Sequence, residues 1–355
     1  MFSCRPAVRR VAPRPEQSSA RRKAAWRFTL SDLWLSRVCH VAAIIAACGA
    51  TLPGAQAQGY PSRVVQIVVP FPAGGSSDVI ARLIGAKLGE SLRQTFLVDN
   101  RPGAGTLIGT LYVAKAAPDG YTLLLADVPF TVNPTVLPEA GYDPVRDFTP
   151  VTLIGVSAQF MYSNPARFTS LADLIAAARA NPGKVTIATA GTGTTTHLMT
   201  EMLQAGTGLK FLQVPYKGSA PALNDAAGGQ VDAAFSTLAS AAPLVAARKL
   251  RIIGVTSPTR LPAYPEVPTF AEIGVGELVV EHWWGLLGPA GLAPEVVQRL
   301  QAETAKAVAA PDIRERFSGL GVEPRASSPG QFRDLVESYV RRWTRVVREN
   351  NIKAN

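Results

Sequence analysis

Residues 64–88 read V-V-Q-I-V-V-P-F-P-A-G-G-S-S-D-V-I-A-R-L-I-G-A-K-L. Residues 64–69 form a short apolar, β-branched run that stops at proline, the pattern of a buried strand. Gly74 and Gly75 give a turn with no side chain in the way. Ser76, Ser77 and Asp78 offer oxygens that can cap a helix. From Val79 onward, Val79, Ile80, Leu83, Ile84 and Leu88 fall at helical spacing. The stretch is therefore strand, glycine turn, helix. The free N–H groups and positive dipole end of such a helix suit an anion.

The same unit recurs downstream. A strand at 95–98 leads into D-N-R-P-G-A-G-T (99–106) and a helix from 107 to about 116. Gly103 and Gly105 again allow close backbone approach, but the spacing does not make a G-x-G-x-x-G dinucleotide turn, and no P-loop lysine follows. A third strand at 121–126 ends at Asp127. Three such units in succession predict an open parallel α/β sheet, whose ligand sits beyond the carboxyl ends of the strands. An extended crossing at 147–159 precedes a second set. This set comprises a helix at 171–180, strands at 185–189, 211–214, 231–235 and 251–256, and helices at 197–204 and 220–227. A second crossing at 279–287 precedes helices at 294–309 and 329–349. Two crossings between two α/β sets predict two lobes on a two-strand hinge, residues 58–158 and 284–355 in one and 159–283 in the other.

Composition narrows the class. Of the net charge of +10, most belongs to residues 1–57, which hold nine Lys/Arg against two acids; the remainder holds 27 against 24. That body shows no basic patch or nucleic-acid motif. Cys4, Cys39 and Cys48 all lie in the leader, so the body needs no disulfide and has no thiolate site. An arginine-rich start, a short apolar run at 38–50 and Ala55-Gln56-Ala57 predict a secretory signal cleaved after residue 57. The run is too short for a membrane span. A competing lipobox reading would place a lipid on Cys48.

Seven stretches together resemble one family. They are Y-P-S-R (60–63), V-P-F-P-A-G-G-S-S-D (69–78), N-R-P-G-A-G (100–105), A-P-D-G-Y-T-L-L (117–124), V-P-Y-K-G-S-A-P-A-L-N-D (214–225), G-G-Q-V-D (228–232) and G-L-L-G-P-A-G (285–291). The chain resembles the Bug-type periplasmic receptors of tripartite tricarboxylate transporters from about residue 60 onward. The resemblance implies a type II periplasmic-binding-protein fold and a monomeric receptor. It also implies a small organic acid held between the lobes and delivery to membrane permease subunits. Carried over position by position, it implies a site of Phe71, Ala73, Gly74, Gly75, Ser76, Ser77 and Asp78 from the first loop and Gly103, Ala104, Gly105 and Thr106 from the second. The other lobe adds Ala190, Gly191, Gly193, Thr194, Tyr216, Lys217 and Gly218. Ser236-Thr237 stands where many members have Asp-Asn, and Asp127 where small residues are usual. Asp127 and Ser236 join the expected site because they stand at the carboxyl ends of their strands. Hydroxyls at 236–237 give no full negative charge, which favours an acid without a free ammonium over an amino acid.

The residues bear other readings. Lys217 can pair with a carboxylate or stay solvated, and Arg101 can meet a carboxylate or serve its turn. His197 and Glu201, at i and i+4, lack a third metal ligand nearby. Trp283 and Trp284 suit packing at the hinge. No nucleophile–base pair, metal set or paired carboxylate appears in the cleft loops, so neither catalytic residue nor cofactor is expected. Besides transport, signalling to a sensor and, less readily, an enzyme on the same fold remain readings of such a chain.

Overall fold

The computed structural model describes residues 59–137, 139–349 and 352. The expected leader, its cleavage site and the lipobox lie outside the described residues.

The opening stretch folds as strand, turn and helix. In β1 (Val65–Val69), Val65, Ile67 and Val69 share a core with Ile80, Ile84 and Leu88 of α1 (Ser76–Leu92), while Val68 joins the core on the other face. This is the two-residue alternation of a strand covered on both sides. β1 pairs in parallel with β2 (Phe96–Asn100) and β3 (Thr122–Asp127), and α2 (Leu107–Ala114) makes the crossover between those two. Three more strands complete this sheet in the order β11-β4-β10-β3-β1-β2: β4 (Phe148–Ala158), β10 (Glu281–Pro289) and β11 (Glu323–Pro324). The second sheet holds β5 (Phe160–Ser163), β6 (Thr186–Thr189), β7 (Leu212–Pro215), β8 (Ala233–Ser236) and β9 (Arg251–Val255), in the order β7-β6-β8-β5-β9.

Both sheets are parallel where helices connect their strands, in β2-β1-β3 and in β7-β6-β8. The strands that arrive from the opposite sheet run the other way. β10 is antiparallel to β3 and β4, and β5 to β8 and β9. A strand arriving from the opposite sheet has no crossover helix to return it to the starting edge, so it enters antiparallel.

The crossings are narrow. Only Gln159 separates β4 from β5. Its N–H donates to Thr256 Oγ1 at 3.0 Å and its carbonyl accepts from Thr256 N at 2.9 Å. Thr256 Oγ1 in turn donates to Val280 O at 2.8 Å, so the outward and return strands are tied together. On β10, Trp283 packs edge-on against Phe332 of α10 (Pro329–Glu349), with ring centroids 5.5 Å apart. Trp284 faces the opposite core, with Val69 and Ile84.

Prolines conceal two helices from the sequence reading. α3 (Pro129–Val136) contains Pro134 and α7 (Leu238–Ala246) contains Pro243. An interior proline removes the bond to the carbonyl four residues back. In α3 that carbonyl belongs to Phe130, and the buried Tyr142 hydroxyl donates to it at 2.9 Å. The residues that follow the strand ending at Asp127 are therefore helix. α4 (Leu171–Ala180), α5 (Thr195–Thr207), α6 (Ser219–Ala227) and α8 (Pro294–Ala309) follow the apolar periodicity, whereas α9 (Pro311–Gly319) was hidden by its polar composition.

Candidate functional site

Five helices begin at the junction of the two sheets, each just after a strand. One, α3, opens on Pro129 beside Asp127; the N-caps of the other four are Gly75 (α1), Thr194 (α5), Gly218 (α6) and Thr237 (α7), and none of the five has a side-chain cap. A helix start leaves several N–H groups without an intrahelical partner and carries partial positive charge. Five such starts converging on one space favour a negatively charged guest.

That space is a chamber of about 30 Å³ lined by residues of all five starts and of the crossing strands. Five side-chain atoms of its lining residues are buried without a partner: Thr195 Oγ1, Ser236 Oγ, Thr237 Oγ1, Gln159 Oε1 and His282 Nε2. Buried polar atoms in folded proteins are nearly always hydrogen-bonded, so a cluster of orphans facing one chamber marks a place for a polar guest. At its present size the chamber has room for a water or two.

Asp127 closes the hinge side of the chamber. Its Oδ2 accepts from Ser77 Oγ at 2.8 Å, and Ser77 Oγ accepts from Trp284 Nε1 at 3.2 Å. Burial pushes the Asp127 carboxyl up to about 7, against a smaller lowering by the Ser77 hydroxyl. His282 Nε2 lies 3.7 Å from the same oxygen. Burial lowers the His282 ring to about 3, so it is neutral at ordinary pH. Gln159 Nε2 stands 3.1 Å from His282 Nδ1. With the amide nitrogen donating there, the ring proton belongs to Nε2.

A second, outer space of about 330 Å³ shares Phe71, Pro72, Ala190, Thr194 and Gly218 with the chamber. The residues expected from the sequence divide between the two. Gly75, Ser76, Ser77, Asp127 and Ser236 line the chamber alone; Gly103, Ala104, Gly105, Thr106, Gly191, Tyr216 and Lys217 line the outer space alone; Phe71, Ala190, Thr194 and Gly218 line both.

Ala73, Gly74, Asp78 and Gly193 line neither space. Asp78 is turned into its own loop, where it accepts from Gly74 N at 3.0 Å, Asn100 Nδ2 at 3.0 Å and Arg82 Nε at 3.0 Å. Burial raises its carboxyl, but Arg82, the Gly74 N–H and Asn100 outweigh that and hold it below the ordinary range. Gly193 abuts Asn133: a Cβ there would lie 2.8 Å from Asn133 Oδ1. The glycines on the rim serve the meeting of the lobes. A Cβ on Gly105 would lie 2.8 Å from Thr192 O, and one on Gly218 would lie 2.9 Å from Pro72 Cδ. Ser76 N also donates across the junction to Ser240 Oγ at 2.8 Å.

Other candidates are engaged elsewhere. Arg101 pairs with Asp99 and lies 3.6 Å above the Tyr112 ring. His197 is buried and receives the Gly193 N–H at 3.4 Å, while Glu201 bonds Gln204 and Gln213. Among the described residues no group of three or more His, Cys, Asp or Glu could hold a metal. Sequence reasoning missed Thr195, Thr196 and Ser219, although the hydroxyl-rich run 192–196 pointed at the first two. It also missed Gln159 and His282, which carry no local signal.

A family profile described as the tripartite tricarboxylate transporter family receptor (TctC) matches residues 80–352. The UPF0065 protein of the tcbD-tcbE intergenic region of Pseudomonas sp. (strain P51) is 41% identical over 298 residues, covering 83% of this chain and 89% of its own. BugT of Bordetella pertussis is 36% identical over 322 residues, covering 90% and 99%. Among solved structures, the periplasmic binding protein BugD is 33% identical with a TM-score of 0.79, covering 83% of this chain and 99% of its own. An R. palustris protein solved with adipate is 36% identical with a TM-score of 0.79 and the same coverage. MatC from Rhodopseudomonas palustris, with bound malate, is 30% identical with a TM-score of 0.77, covering 81% and 100%.

Proposed function

Because this chain belongs to the tripartite tricarboxylate transporter receptor family, we propose that it captures a small organic acid between its lobes in the periplasm and passes it to membrane permease subunits. The family and the solved neighbours are solute-binding proteins, and two of those neighbours were solved with dicarboxylates, adipate and malate. One observation supports the reading above others. The unpartnered Thr195, Ser236 and Thr237 hydroxyls stand at the uncapped starts of α5 and α7, where a carboxylate would satisfy them.

In this reading the acid lacks a free ammonium, the leader ends at residue 57 and the mature receptor begins at Gln58 without a lipid. Native mass spectrometry of gently purified receptor tests both parts, since it reads the mature mass and any retained acid. A thermal-shift panel of organic acids and amino acids at fixed pH then ranks ligands. An acid at about 100 times its Kd should stabilise the receptor by roughly 2.7 kcal/mol. A shift with amino acids alone, abolished in Asp127→Asn, would make Asp127 an ammonium partner and reverse the ligand class.

A further inference from the structure

The second-lobe hydroxyls and helix starts account for one carboxylate, but the hinge side of the chamber has a different character. Asp127 is 3% exposed and lines the chamber. Among the described residues no lysine or arginine lines that chamber. The groups facing Asp127 come from several elements. From α1 comes the Ser77 hydroxyl, already committed to Oδ2. From β10 come Trp284, which bonds Ser77, and His282, whose ring is neutral and 3.7 Å away. From the crossing comes Gln159, which holds His282 Nδ1 and presents an unpartnered Oε1. After β3, the Tyr142 phenol feels the Asp127 charge but donates to Phe130 O. Asp78, one residue beyond Ser77, is paired with Arg82. Among the described residues lining the chamber, no cation stands ready to separate Asp127 from an incoming anion.

Two carboxylates that share a water-poor site cannot both ionise; one takes a proton. We propose that the chamber takes a dicarboxylate together with one proton, which comes from solvent and is held on Asp127 as a hydrogen-bond donor to the ligand's hinge-side carboxylate. His282 Nε2–H supplies a second donor from the same wall. The other carboxylate meets the hydroxyls and helix starts of the second lobe. Asp127 and His282 thus read the ligand's second acidic group. This inference rests on the receptor reading proposed above.

The empty receptor already holds the Asp127 proton below about pH 7 and loses it above. Affinity for a dicarboxylate should therefore be flat below pH 7 and fall about tenfold per pH unit above it, until the higher pKa of the complex is reached. Isothermal titration of the mature protein tests this over pH 6–9, with adipate and malate as first probes and hexanoate as the monocarboxylate control. Two buffers of different ionisation heat report proton uptake. We expect uptake to approach one proton per dicarboxylate near pH 8 and to be absent with hexanoate. Asp127→Asn, which carries a neutral donor permanently, should bind the dicarboxylate with no pH slope. If that variant is poorly folded, Ser77→Ala serves instead: removing the donor to the ionised carboxylate should move the onset of weakening to higher pH. Dicarboxylate binding without proton uptake near pH 8, a wild-type slope in Asp127→Asn, or binding of monocarboxylates alone would overturn this proposal. Absence of binding by every acid of the panel would overturn the receptor reading itself.

Discussion

Asp127 and His282 are buried within 3.7 Å of each other and titrate in opposite senses. Asp127 rises from 3.8 to about 7, so the folded protein holds that proton more tightly than the unfolded chain, and this group's contribution to stability falls as pH climbs through that interval. His282 drops from 6.5 to about 3, so its contribution falls as pH descends through that interval. The two slopes oppose each other between about pH 4 and 6.5. Asp127→Asn should leave ligand-free stability nearly unchanged near pH 4 and stabilise increasingly up to pH 7, reaching on the order of a few kcal/mol. Urea unfolding of both proteins at pH 4.5 and 8 checks this; an equal difference at the two pH values would refute it. Asp127 was legible in the sequence because it ends a strand at the sheet's carboxyl edge. Gln159 and His282 were not: they lie 123 residues apart, and only the pairing of the two crossings brings them together.

The loops after the strands were legible for a related reason. A turn that must reach φ of +61° at Gly105 or +112° at Gly218 declares itself as glycine, and a helix start declares itself through hydroxyls. What the glycines approach was not legible, because it depends on the facing lobe. In the sequence the bareness of Gly105 suggests an anion; the structure places Gly105 against Thr192 O, and Gly218 against Pro72. A methyl at Gly218 would collide with the proline ring only when the lobes meet. Gly218→Ala should therefore weaken ligand affinity roughly 5- to 150-fold, the equivalent of about 1–3 kcal/mol of strain in the closed form. Gly183→Ala is the control for a positive φ away from the lobe contact. Its φ of +74° is less extreme than the +112° of Gly218, and nothing lies within 4 Å of the added carbon. It should lower the melting temperature and leave affinity alone. Equal affinity losses in the two variants would show that the Gly218 effect is local strain. The hidden helices teach the complementary point: Pro134 argues against helix until Tyr142, a little beyond the end of the helix, satisfies the carbonyl that the proline abandons.

Taken whole, the molecule is two mixed sheets tied by two strands, and its architecture followed from the repeated strand–loop–helix units and the two extended crossings. The sense of the crossing strands did not, because a run of apolar residues carries no direction. The chamber between the lobes, about 30 Å³ with its helix starts facing inward, is smaller than any acid it is proposed to hold. This has a consequence for time. A guest cannot enter while the lobes meet, so association must wait for them to part, however concentrated the guest. In stopped-flow mixing, the observed binding rate should rise with acid concentration and then level off at the rate of opening. Trp284, hydrogen-bonded to Ser77 beside the hinge, supplies the fluorescence signal. Gly218→Ala, by loosening the closed form, should raise that ceiling while it weakens affinity. A rate that climbs linearly without limit would mean that the empty receptor stands open in solution. The ceiling, once measured, is the fastest rate at which one empty receptor can commit to a molecule of cargo.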